Sequence, residues 1–128
     1  MRAGGFTLLE MIVVLAILGL ATALVAPSAI RGIDSWRRQA AIDELLDAIR
    51  GLPGEARARG MAILVNDETL ASPSPPLRIA GDLSLAAPEP WQVRSNGVCE
   101  GGTLVVRSEF GARTINVAAP FCDAGVEP

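Results

Sequence analysis

Gly4-Gly5-Phe6-Thr7-Leu8-Leu9-Glu10 opens an apolar run that continues to Ala26. Phe6 to Ala26 is 21 residues, and Glu10 is the only charged one among them. At the α-helical rise such a run is about 31 Å long, close to the roughly 30 Å hydrocarbon core of a bilayer. The first inference is therefore a membrane-spanning helix. The carboxylate of Glu10 is the anomaly. An ionisable group in mid-bilayer costs at least ~2.5 kcal/mol and marks function by default. Near one end of the run, Glu10 can recover part of that cost by reaching toward the interface.

Two simpler readings compete. A secretory signal peptide has a 7–15-residue apolar core followed by an A-x-A-like cut. Here the apolar core is longer and carries Glu10 near its start, although small residues do cluster at Ala21–Ala26. An ordinary single-pass anchor satisfies the length. Neither predicts Gly-Phe-Thr-Leu-Leu-Glu.

Those six residues, Gly5 to Glu10, resemble the processing site of type IV pilins and of the pseudopilins of type II secretion. The resemblance implies that a membrane prepilin peptidase cuts between Gly5 and Phe6 and methylates the new Phe6 amine. It makes Met1–Gly5 a leader, places the family's glutamate at Glu10, and puts a helix-kinking proline at Pro27. It also implies a cytoplasmic N-terminus in the bacterial inner membrane, with the rest of the chain periplasmic. The positive-inside tendency does not give that orientation by itself, because Arg2 faces Arg31, Arg37 and Arg38 across the run. The local chemistry agrees with a cut at Gly5: a small residue adopts the extended backbone a protease needs. The freed amine and the Glu10 carboxylate of a neighbouring subunit then form a pair suited to setting axial register.

Beyond the run, Ile42, Leu45, Leu46, Ile49, Leu52 and Ala56 recur at helical spacing. Asp43, Glu44, Asp47 and Arg50 fall on the opposite face. A second, amphipathic stretch of helix over 31–60 is expected to lay its apolar stripe on a domain. Pro27 should kink or loosen the helix near Ala23–Pro27. Gly51-Leu52-Pro53-Gly54 is expected either to kink it or to stop it, with Pro53 restarting a short helix as a first-turn residue. Gly60 reads as its C-terminal cap. Trp36 and Ile33 lie off the stripe, suited to the membrane interface or to a neighbouring subunit. Glu55-Ala56, the arginines and Gly60, followed at once by a strand, resemble H-type minor pseudopilins and the related FimT-like minor pilins. The Gly-Leu-Pro-Gly insert departs from that pattern.

Residues 61–128 read as β-rich. Met61–Val65 is a candidate central strand and Asn66-Asp67-Glu68 a solvated turn. The prolines of 71–76 mark a surface loop. Leu77–Ile79, Leu83–Leu85 and Trp91–Arg94 are candidate strands. Ser95-Asn96-Gly97 is a turn, and Thr103–Arg107 and Thr114–Ala118 form a hairpin around Glu109–Ala112. The fold class is α+β: a long N-terminal transmembrane helix packed on a small, mainly antiparallel β domain. Once the domain is taken as exported, the oxidising compartment favours a Cys99–Cys122 disulfide, worth about 3–3.5 kcal/mol by loop entropy.

No enzyme is expected. With no His in the chain, the usual triad base is absent, as are imidazole metal ligands. Asn66-Asp67-Glu68 lacks the ligand spacing of an EF-hand, and Gly101-Gly102 is not followed by the Gly-Lys-Ser/Thr of a phosphate loop. No catalytic residue, metal or cofactor is expected. Net charge is −3, with eleven scattered arginines and no Lys, which argues against a nucleic-acid surface. The resemblance implies a minor pseudopilin at or near the tip of a periplasmic pseudopilus. Its partners would be other minor and major pseudopilins, the peptidase, an inner-membrane assembly platform and membrane lipid. The alternatives are a minor pilin of a type IV pilus (motility, adhesion or DNA uptake) and a membrane-anchored periplasmic binding module.

Overall fold

A computed structural model describes residues 4–128. Met1–Ala3, and with them Arg2 and most of the expected leader, lie outside the described residues. Helix α1 runs from Leu8 to Arg59. Two compact units divide the chain, one ending at Arg37 and the other spanning Arg38–Pro128.

In the first unit, every described residue is exposed. The apolar side chains of α1 point outward on all sides, including Leu8, Leu15, Leu20 and Leu24. A helix that is apolar all round is suited to lipid or to a protein core, not to water. Its few hydroxyls are satisfied within the helix. Thr22 Oγ1 donates to the carbonyls of Leu18 and Gly19 at 3.0 and 2.9 Å, and Ser28 Oγ donates to the Val25 carbonyl at 2.8 Å. This is how polar side chains are tolerated where water is scarce.

In the second unit, α1 supplies the long side of the core. Ala41, Ile42, Leu45, Ile49, Leu52, Pro53 and Ala56 are buried, while Asp43, Glu44, Asp47 and Arg50 are exposed, as the stripe requires. The helix runs through both Pro27 and Pro53 without interruption. Of the two alternatives at Gly51–Gly54, a kink or a stop with restart at Pro53, the stop does not occur. Proline in a helix interior costs about 3 kcal/mol. Full burial of Ile49 and Leu52 is worth about 1.5–3 kcal/mol each, enough to carry the helix through. At Arg59 it ends on Gly60, whose φ of 66° is open to glycine and whose N–H donates to the Ala56 carbonyl at 2.9 Å.

The strands form two antiparallel sheets. Among the described residues β1 (Ile63–Val65) pairs only with β3 (Trp91–Val93), so Met61–Val65 is not the central strand expected. β2 (Ser84–Ala86), β4 (Gly102–Ser108), β5 (Gly111–Ala118) and β6 (Asp123–Val126) form the second sheet in the order β2-β4-β5-β6. Its buried face follows the register: Leu104 lies opposite Ile115, which lies opposite Val126. Leu104, Val106, Ile115, Val117 and Ala124 join Leu45, Ile49, Leu52 and Ala56 in one core with Val65, Trp91 and Val93.

Other expectations are corrected. Asn66-Asp67-Glu68 is a helix start rather than a turn: α2 spans Asp67–Leu70. Asn66 Oδ1 accepts from the Thr69 N–H at 2.7 Å, and Thr69 Oγ1 accepts from the Asn66 N–H at 3.0 Å, a reciprocal capping box. Leu77–Ile79 forms no strand, although Leu77 is buried. The hairpin turn is shorter than expected, since Ser108 pairs directly with Gly111.

Gly102 has a steric reason. A Cβ there would overlap Cγ and Cδ1 of the buried Trp91 ring. Gly102→Ala should therefore destabilise the fold by about 1–3 kcal/mol, and Ile49→Ala by about 2–5 kcal/mol. Denaturation of the detergent-solubilised chain, followed by Trp91 fluorescence in a Trp36→Phe background, measures both.

Candidate functional site: the helix start and the disulfide

The residues singled out from the sequence fall into two places. Gly5, Phe6 and Glu10 lie at the start of α1. Gly4 to Thr7 are neither helical nor in a strand. Phe6 is 77 % exposed, and a Cβ built on Gly5 would meet nothing within 4 Å, so the backbone at Gly5–Phe6 is open. The helix begins two residues later than the apolar run.

Sequence reasoning missed the residue that sets this boundary. The Glu10 N–H donates to Thr7 Oγ1 at 3.2 Å, and the Met11 N–H donates to the Thr7 carbonyl at 3.2 Å. Thr7 is therefore the N-cap and Glu10 the third helical residue. The signal was legible: Thr-x-x-Glu before an apolar run is the capping-box pattern. Glu10 sits in the first turn, where the helix dipole favours a carboxylate. It is exposed and free to meet a partner. Phe6, lying before the cap, is outside the helix, so its amine would not be stacked one turn below Glu10 on a continuous helix. Pro27 lies within α1.

The second place is the disulfide. Cys99 and Cys122, 23 residues apart, are joined with their Cα atoms 5.4 Å apart, and both are fully buried in the core. The Cys99 N–H also donates to the Pro120 carbonyl at 2.9 Å. The bridge leads directly into β6, a strand not read from the sequence. Arg50 reinforces the same edge, donating through Nη2 to the Ala124 carbonyl at 2.8 Å.

Beside Cys99, Glu100 gathers donors. Gln92 Nε2 and Arg94 Nε both reach its Oε1 at 3.1 Å. The Gln92 hydrogen bond, followed by the Arg94 hydrogen bond and charge, holds the Glu100 carboxyl below its ordinary value. A lowered native value stabilises the fold above the unfolded pKa, and that contribution is lost as pH falls through the native one. The Asn66-Asp67 oxygens are spent on backbone: besides Asn66, Asp67 Oδ1 accepts from the Ala87 N–H at 2.7 Å. They serve as structural acceptors.

Replacing both cysteines by alanine should cost about 2–5 kcal/mol, read by the same denaturation experiment. In a carboxyl-detected NMR titration, Gln92→Ala and Arg94→Ala should each raise the Glu100 midpoint.

Residues 1–26 match the family model described as the prokaryotic N-terminal methylation motif. No curated protein and no solved structure matches the chain. The chain thus carries the N-terminal methylation motif of pilin-like proteins, on an apolar helix long enough to cross a membrane and compatible with a single-pass anchor.

Proposed function

We propose that this chain is a prepilin-type subunit that is cut between Gly5 and Phe6, methylated on Phe6 and packed into a helical filament through α1. The carrying observation is the methylation motif over residues 1–26, set on a helix whose apolar first half is exposed on every side. Such a surface needs lipid before assembly and other helices after it. Glu10 is the one ionisable residue between Phe6 and Ala26. Its role is to meet the Phe6 amine of a neighbouring subunit and fix the axial register, because mispairing leaves a charge uncompensated in an apolar core.

Within this class, the favoured reading is a minor pseudopilin of a type II secretion system, placed at or near the pseudopilus tip and helping to start assembly. The helix closing on Glu55, Arg57, Arg59 and Gly60 and leading into β1 supports the H-type comparison. The globular part then faces the periplasm, where its disulfide is at home. The partners are the other minor and major pseudopilins, the peptidase and the inner-membrane platform. A minor pilin of a type IV pilus is the second reading. The role is structural rather than enzymatic: the energy comes from an ATPase elsewhere, and the subunit contributes packing.

Intact mass of the membrane-extracted chain, taken without reductant, tests the reading. The expected product lacks Met1–Gly5, carries one methyl group, and is two hydrogens lighter than the reduced form. A retained leader, or a cut near Ala26, would overturn it. Glu10→Ala should leave cleavage intact but lower incorporation into filaments by at least tenfold, measured in sheared or cross-linked fractions. Deleting the gene and assaying both protein export and twitching motility separates the two systems.

A further inference from the structure

We propose that Thr7 is a positioning residue for processing: its hydroxyl ends α1 at Leu8 and so keeps the Gly5–Phe6 peptide out of the helix, in the form a protease can take. The inference rests on the reading of Gly5–Phe6 as the scissile bond.

The argument starts from the unpaired N–H groups of a first turn. The four N-terminal N–H groups of a helix have no acceptor inside it. Thr7 Oγ1 takes that of Glu10, while the Thr7 carbonyl accepts the first intrahelical bond, from the Met11 N–H. Without the hydroxyl, the Glu10 N–H is orphaned at the edge of an apolar environment, where an unmet donor is costly. The nearest replacement is the carbonyl four residues back, that of Phe6. Forming that bond makes Thr7 helical. The next bond in the series joins the Leu9 N–H to the Gly5 carbonyl, the carbonyl of the scissile peptide itself. Two helical bonds upstream of the present start would therefore draw the cleavage point into the ladder. A peptide whose carbonyl is held in a helix is poorly presented for attack. Gly4 and Gly5 resist this extension, since glycine costs up to about 1 kcal/mol in a helix. The Thr7 cap, of comparable size, supplies the rest.

The alternative role for Thr7 is direct recognition of its shape by the peptidase. Substitutions separate the two. Thr7→Val keeps the shape but cannot accept a hydrogen bond. Thr7→Ser and Thr7→Asn change the shape but cap well. With the full-length chain and prepilin peptidase in membranes, initial processing rates are followed by mass. The expected result is a rate about fivefold lower for Thr7→Val and Thr7→Ala, the factor one capping bond implies, and near-native rates for Thr7→Ser and Thr7→Asn. In the peptidase-free chain, the Cα chemical shifts of Gly5 and Phe6 should move toward helical values in Thr7→Val and stay in place in Thr7→Asn. Native processing of Thr7→Val overturns the proposal, as does Thr7→Asn being as slow as Thr7→Val. These results leave the assigned junction standing, because the native chain is still cut at Gly5–Phe6. A native chain that keeps its leader overturns the junction, and this inference with it.

Discussion

Burial of the Ile42–Ala56 stripe of α1 is the interaction on which the β-bearing unit depends. β1, β2 and β3 have three residues each, and β6 has four. Strands this short do not make a stable sheet alone. An antiparallel sheet with one apolar face needs a second layer to cover it. Leu45, Ile49, Leu52 and Ala56 provide that layer for both sheets at once, since residues of both belong to the same core. This also explains why the helix tolerates Pro53: stopping at Gly51 would uncover Leu52 and Ala56 and, with them, the middle of the core.

At the far edge of the larger sheet, the same economy appears in covalent form. β6 contains Asp, Ala, Gly and Val, a composition with little strand preference of its own. It is held by its register on β5, with Ile115 opposite Val126 and Val117 opposite Ala124, by the Arg50 contact to the Ala124 carbonyl, and by the disulfide at its entrance. Cys122 itself has φ of 56°, unusual for a residue with a side chain. The bridge to Cys99 fixes its position. The ion pairs that Arg50 makes with Asp47 and Asp123, at 3.3 and 3.9 Å, are exposed and add little.

The first half of α1 obeys the opposite rule. Its residues are exposed and leave their apolar side chains outward. One helix is thus written in two codes: apolar all round up to Ala26, then apolar on one stripe from Ala41. The methylation-motif match, over residues 1–26, spans the whole of the first code. Within four residues of that stretch, Thr7 caps the helix start and Glu10 carries the charge.

The apolar run, the amphipathic stripe, the Gly60 cap and the α+β class could be read from residue order alone, because periodicity, length and cap chemistry are local properties. The long hairpin was legible for the same reason, through the alternation of Leu104, Val106, Ile115 and Val117. Thr7 and Asn66 are legible too, as capping signals, each followed three residues on by the Glu or Thr of a capping pattern. Tertiary structure decided the rest. Helix propensity condemns Pro53, and only burial of its neighbours overrules it. Strand propensity favours Leu77–Ile79 and ignores Asp123–Val126, yet only the second finds a free sheet edge to pair with. The need for glycine at position 102 exists only because the Trp91 ring lies against it. These outcomes depend on which surfaces meet, and a contact between residues distant in the chain leaves no periodic trace in the sequence.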